Sequence, residues 1–285
     1  MPLIGPGIPT STFQERPPPE SIAAIATCAW IQNIPPGSGP YVHTSTPDGS
    51  VEIVYRLGHG ANPSVIGPRT RPTREVLAPG TITVGIRFRP GASAGVIGLP
   101  VSELVDQTVD LRDVWGSPAD RLADELASAE SPNSLASLLM GAVHRESIGA
   151  SRPDPVAQLI VQTLRQNAQR LPDIGQVVGL SKRQVRRRCV AAIGYGPKTL
   201  QRIARFQQLL ALAPTVVDAG LADLAVAHGY SDQAHLTSES RRLTGKTPAT
   251  FIAEMHESCA SHDHRASMRT WLAVGPAKRD GTRSA

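Results

Sequence analysis

The chain has 285 residues, 40% of them hydrophobic, and a net charge of +5, which is enough for two ordinary cores. Its longest apolar run, Ile22 to Ile31, is far too short to span a bilayer, and no basic segment followed by an apolar one marks a signal peptide. Cys28, Cys189 and Cys259 have no close spacing and make an odd count, as in a cytoplasmic protein with reduced thiols.

Residues 1–20 are rich in proline and read as irregular. Strands are expected at Ala24–Ile31, Val51–Tyr55 and Thr81–Phe88. In the last of these Thr81, Thr83, Gly85 and Arg87 alternate with Ile82, Val84, Ile86 and Phe88, the mark of a strand with one buried face. Pro47-Asp48-Gly49 suggests the start of a hairpin. Helices should follow from Ser102, Ser117 and Ser134, with Met140 to Ser151 closing a domain that spans 21–150. Ser151-Arg152-Pro153-Asp154-Pro155 makes a stiff linker, 151–155.

The next segment, 156–257, contains two similar stretches 50 residues apart, IGQVVGLSKRQVRRRC and LAVAHGYSDQAHLTSES. In the first, Ile174 to Val178 form a short helix, Gly179 makes the turn, and Ser181 opens a second helix. In the second, Leu221 to Ala227, Gly229 and Ser231 take the same parts. Glycine adopts positive φ at little cost and serine caps the following helix, which gives the helix-turn-helix that seats a recognition helix in the major groove. Between the copies, Pro197 to Leu212 reads as a helix of about 24 Å. With the breadth of its flanking helices, this separates the recognition helices by about 34 Å, one turn of DNA. From 258 onward the composition reads as a disordered tail.

Charge divides along the same line. Residues 1–150 carry a net −4 and residues 155–255 a net +7, the footprint of a phosphate-binding module joined to something else. The fold class is therefore α+β and multidomain: an N-terminal mixed β-barrel-like and α domain, then an all-α domain with two helix-turn-helix motifs joined by a linker helix.

GLSKRQVRRRCVAAIGYGPKTLQRIARFQQLL and LADLAVAHGYSDQAHLTSESRRLTGKTPATF resemble the DNA-binding domain of the AraC family of bacterial transcription regulators. Upstream, TPDGSVEIVYRLG, GPRTRP and GIRFRPGASAGVIGLPVSELVDQTVDLRDVWG resemble the N-terminal sensor-like domain of a subset of that family. The resemblance implies a regulator that binds double-stranded DNA, with a small-molecule effector, a homodimer or RNA polymerase as further partners and no cofactor.

In the first recognition helix Val185, Cys189 and Ala192/Ile193 fall on one face, which turns Arg183, Arg186 and Arg187 toward the groove. Arginine can donate two hydrogen bonds to guanine O6 and N7, and the family's base-contact positions correspond to Arg183 and Arg187. Ser181, Lys182, Arg188, Lys198, Arg202 and Arg205, with Ser231 and His235 in the second motif, are expected at phosphates, which fix position and carry the salt dependence. In the second helix Leu236, Ser240 and Leu243 face inward, leaving Asp232, Gln233, Thr237 and Ser238 outward. Family members usually carry a large aromatic where Ser240 stands and often an arginine where Ser238 stands. The first motif is therefore expected to carry most of the specificity, with Gln233, Thr237 and Ser238 adding modest base readout.

Two other readings weigh against this one. The N-terminal domain could be purely an oligomerisation unit, or a metal-dependent barrel enzyme using His43 and His59 with Asp48 or Glu52. That spacing is loose and has no clustered third ligand, so no catalytic or metal site is assigned. Arg69, Arg71, Arg87 and Arg89 could bind an anionic effector, against the commoner use of arginine as a solvated surface residue.

Overall fold

The computed structural model describes residues 11–58, 62–166, 174–212 and 220–259. Its first half holds β1 (Thr12–Arg16), β2 (Ala26–Asn33), β3 (Tyr41–Ser45), β4 (Glu52–Leu57), β5 (Ser64–Ile66), β6 (Thr73–Leu77) and β7 (Ile82–Phe88). After β7 come α1 (Ala94–Ile97), a 3-10 turn at Val101–Leu104, β8 (Thr108–Asp110), α2 (Leu111–Trp115), α3 (Ser117–Ala127) and α4 (Pro132–Ser147). Six strands form one sheet in the order β1-β2-β7-β4-β5-β8, and β3 pairs with β6 in a second. The large sheet is open: β1 and β8 are its two edges, so the barrel-like domain is not a closed barrel.

Strand alternation sends two different sets of side chains to the two faces of this sheet. Ala29 and Ile31 of β2, Ile53 and Tyr55 of β4, Val65 of β5, and Val84, Ile86 and Phe88 of β7 pack against Leu122 and Leu126 of α3 and Leu135, Leu139 and Val143 of α4. Phe13, Cys28 and Trp30 form a smaller cluster with Val54 on the opposite face. Both faces of β7 are thereby buried, in place of the single buried face its alternation suggests. Thr83, on its polar side, is only 3% exposed, and a Cβ at Gly85 would overlap the Trp30 ring. Glycine is needed there for close approach rather than for a turn.

Three local expectations change. The proline-rich start is not irregular throughout, because Thr12–Arg16 pairs antiparallel with β2. Pro47-Asp48-Gly49 makes a turn but no hairpin. Asp48 Oδ1 accepts from the Ser50 backbone N–H at 2.9 Å and the Ser50 hydroxyl at 2.6 Å, and Gly49 has φ 78°. β3, however, pairs with β6 across residues 41–45 and 73–77, and β4 pairs with β5 and β7. The turn thus carries the chain from the small sheet to the large one. The helix expected from Ser134 starts at Pro132, with Ser131 as its cap.

The second half is helical: α5 (Pro155–Gln166), α6 (Ile174–Val178), α7 (Lys182–Ile193), α8 (Pro197–Leu212), α9 (Leu221–Ala227), α10 (Gln233–Thr244) and α11 (Pro248–Cys259). Its separate core contains Ile160, Leu164, Val185, Cys189, Ile193, Leu200, Ile203, Phe206, Leu236 and Leu243. Asp154 caps α5 by accepting from the Val156 N–H at 2.8 Å. The two halves touch at several places, three of which tie named side chains together. Val105 packs on the helical core, the Tyr195 hydroxyl donates to the Arg69 carbonyl, and Gln207 Nε2 donates to the Pro47 carbonyl at 2.9 Å. The tail from 260 onward lies outside the described residues, as does His59.

Candidate nucleic-acid interface

The first motif is built by α6, a turn at Gly179 with φ 67°, and α7. Ser181 and Gln184 cap α7 reciprocally. The Gln184 N–H donates to Ser181 Oγ at 3.3 Å, and the Ser181 N–H donates to Gln184 Oε1 at 3.0 Å, which satisfies two helix-end donors at once. Val185, Cys189, Ala192 and Ile193 are all buried, so the opposite face is fixed. Lys182, Arg183, Arg186 and Arg187 are exposed on that face. None of the four takes part in an ion pair among the described residues. Burial pushes the Cys189 thiol up to about 12, so this cysteine acts as a core side chain rather than a reactive one.

The second motif repeats the geometry with α9, Gly229 at φ 75° and α10. Its cap is Asp232 rather than Ser231: Asp232 Oδ1 accepts from the His235 N–H at 2.7 Å. That backbone bond holds the carboxyl below its usual range. The Ser231 N–H donates to His235 Nδ1 at 3.3 Å, and the His235 ring meets Tyr230 edge-on at 5.3 Å. Ser231 and His235, expected at phosphates, are thus engaged in closing the turn. Leu236, Ser240 and Leu243 are buried. Ser240 keeps its place in an apolar position by donating its hydroxyl to the Lys246 carbonyl at 2.9 Å, so the small residue ties down the turn after α10.

Three of the arginines assigned to phosphates have partners inside the protein. Arg188 Nη1 lies 2.8 Å from Asp154 Oδ2, which fastens the linker to α7. Arg202 pairs with Glu239, and Arg205 sits 5.3 Å over the Tyr230 ring. All three are half-buried, whereas Lys198 at the start of α8 is exposed. Gln233, Thr237 and Ser238 line a shallow trough on the outer face of α10, together with Ala234 and Arg241. Thr237 donates its hydroxyl back to the Gln233 carbonyl at 2.8 Å, leaving a methyl group and a lone pair outward. Arg241 is the residue the sequence reading missed. Continuing the four-residue spacing from Gln233 and Thr237 by one more turn reaches it, so the helix regains a guanidinium that Ser238 does not supply.

The expected effector arginines separate as well. Arg87 is enclosed by carboxylates: Glu52 Oε1 at 2.5 Å, Asp48 Oδ2 at 3.7 Å and Glu15 Oε1 at 3.8 Å. Burial works against its charge, but Glu52 and Asp48 outweigh that and hold the guanidinium protonated. Burial raises Glu52 ahead of the opposing pull of Arg87, which three carboxylates share. Arg89 donates to the Ala23 carbonyl at 2.8 Å, Arg69 to Thr108 Oγ1 at 2.7 Å, and Arg71 is exposed. His43 bonds Ser45 at 3.0 Å. Among the described residues no group of three or more His, Cys, Asp or Glu is placed to hold a metal, and no helix is long and apolar enough to cross a membrane.

Comparison with known proteins agrees with this division. Residues 174–254 match a helix-turn-helix domain, and residues 14–110 match a domain of unknown function. No curated protein matches the chain. Among solved structures, ToxT from Vibrio cholerae is similar at 12% identity and a TM-score of 0.41, over 85% of this chain and 98% of ToxT. Wild-type ToxT of strain SCE256 bound to unsaturated fatty acid gives 11% identity and a TM-score of 0.40, over 85% of this chain and 94% of that one. With two capped motifs and an exposed basic face on α7, the matched domain defines a DNA-binding transcription regulator. Both motifs lie within the matched helix-turn-helix domain, 174–254, whose double arrangement is of the AraC type.

Proposed function

We propose that this regulator reads two successive major grooves, with α7 carrying most of the sequence specificity. The observation behind this reading is the exposed trio Arg183, Arg186 and Arg187, without an ion pair among the described residues, opposite the buried Val185 and Cys189. Arg183 and Arg187 reach base edges, while Lys182 and Lys198 sit at phosphates. α10 adds Gln233, Thr237, Ser238 and Arg241. Residues 156–257 form the reading domain, and the domain before the 151–155 linker, with β1 included, modulates it. The direct contacts at Tyr195 and Gln207 support that coupling. An effector acts here by favouring one arrangement of the two domains over another.

The test is selection of the full chain on a randomised duplex pool at two salt concentrations, with Arg187→Ala alongside. One enriched motif, relaxed at particular positions by the substitution, is the expected result. Salt-sensitive binding without any enriched motif would overturn sequence-specific reading and leave a nonspecific basic module.

A further inference from the structure

α7 and α10 can be matched residue for residue by their caps. Ser181 and Asp232 each accept a backbone N–H at the start, and Gly194 and Gly245 end the two helices with φ 86° and 77°. In that register the buried Val185, Cys189 and Ala192 correspond to Leu236, Ser240 and Leu243. The exposed Arg183, Arg186 and Arg187 then correspond to Ala234, Thr237 and Ser238. Where one reading helix carries long guanidinium side chains, the other carries short ones.

What the short side chains offer is narrow. Ala234 is exposed and presents only its methyl group. Thr237 spends its hydroxyl proton on the Gln233 carbonyl, so its methyl faces outward beside Ala234 in the trough. The neighbouring acids are engaged elsewhere: Asp232 Oδ1 accepts from the His235 N–H, and Glu239 Oε2 lies 2.9 Å from Arg202 of α8. The middle of the trough is therefore largely apolar, with Gln233 at one end and Arg241 at the other. In a major groove the matching feature is the C5 methyl of thymine, the one apolar group a base pair displays there. Guanine presents acceptors, which need a donor that Ala234 and Thr237 cannot supply.

We propose that α10 reads thymine by its methyl group, through Ala234 and Thr237, while α7 reads guanine. The assignment rests on the reading that both helices enter major grooves, and it names the bases sought by the second. Short side chains let the axis of α10 approach the base edges closely, which brings the two-point amide of Gln233 within reach of an adenine. The two half-sites are then chemically unlike, and the chain lies on its operator in one orientation only.

The test uses duplexes that the full chain selects from the randomised pool, with the α7 half-site located by the positions that Arg187→Ala relaxes. Each thymine is then replaced in turn by deoxyuridine, which lacks only the C5 methyl. At least one replacement in the α10 half-site should weaken binding about fourfold, the worth of one buried methyl group. Thr237→Ser, which removes the methyl and keeps the hydroxyl, should abolish the difference at one such position, and Thr237→Val should preserve it. Full tolerance of deoxyuridine in the α10 half-site, an α10 half-site selected without thymine, or discrimination unchanged in Thr237→Ser would overturn the proposal. The two failures are distinguishable. A selected motif that tolerates deoxyuridine removes only the methyl reading, whereas a pool that yields no motif removes sequence-specific reading itself.

Discussion

Arg202 Nε lies 2.9 Å from Glu239 Oε2, joining α8 to the second recognition helix. The N–H is not aimed along this line, so the contact is Coulombic rather than a well-formed hydrogen bond. Both side chains are less than one-third exposed. Glu239→Gln should cost about 1 kcal/mol of stability and weaken DNA contacts made by α10 more than those made by α7. Chemical denaturation together with footprinting of the two half-sites reads both effects.

Arg241 and Lys198 should behave differently on DNA. Removing a base-reading arginine costs about 1–3 kcal/mol and relaxes the sequence at one position, which is the outcome expected for Arg241→Ala. Lys198→Ala should weaken all sequences alike and reduce the slope of log affinity against log salt by about 1. Equal loss on every sequence for Arg241→Ala would place that arginine at the backbone instead.

Gly85→Ala puts a methyl group into the Trp30 ring. Overpacking of this kind costs about 1–3 kcal/mol, and the displaced indole should shift its fluorescence. Because Trp30→Ala alone removes a buried indole at about 3–5 kcal/mol, the double variant should lose less than the sum of the two single losses, a coupling measurable by chemical denaturation.

His228 is 8% exposed, and burial lowers its pKa from the usual 6.5. A depressed folded-state pKa means that the unfolded chain takes up the proton first. Stability is therefore complete above about pH 6.5 and falls as the pH drops from there through the folded-state value. Denaturant midpoints of the wild type and His228→Gln, measured from pH 7.5 to 5, should converge toward the acid end.

Gly194 ends α7 with φ 86°, and a Cβ there would lie 2.7 Å from Val105 and 3.0 Å from Pro68. Gly194→Ala combines backbone strain with a clash between the halves of the molecule, at about 1–3 kcal/mol. The expected signature is faster proteolysis in the 151–154 link with helix content preserved. Unchanged cleavage there would mean that the contact does not hold the halves together.

What the sequence made legible followed from local rules. Val185, Cys189 and Ile193 recur at helical spacing and fix the exposed face of α7, and the glycine turns mark both motifs. β7 is visible through its two-residue alternation. Pairing across distance was not visible: nothing in residues 41–45 points to 73–77, and Pro47-Asp48-Gly49 argued locally for a different partner. The buried charges were hidden for a related reason. Arg87, Glu52 and Glu15 occupy polar positions in alternating strands, a pattern that reads as a solvent face until a second layer is known to cover it. Arg188 likewise read as one more basic residue in a basic run, because Asp154, which holds it, is 34 positions away.

The helix α8 serves as spacer and wall together. Its length sets how far α7 stands from α10, and its Gln207 and Leu210 side chains, together with strands of the first half, enclose a cavity of about 660 Å³. A ruler that is also a door cannot be moved for one purpose and left still for the other. The cavity wall and the spacing of α7 from α10 thus depend on one and the same helix, with no intervening relay of side chains.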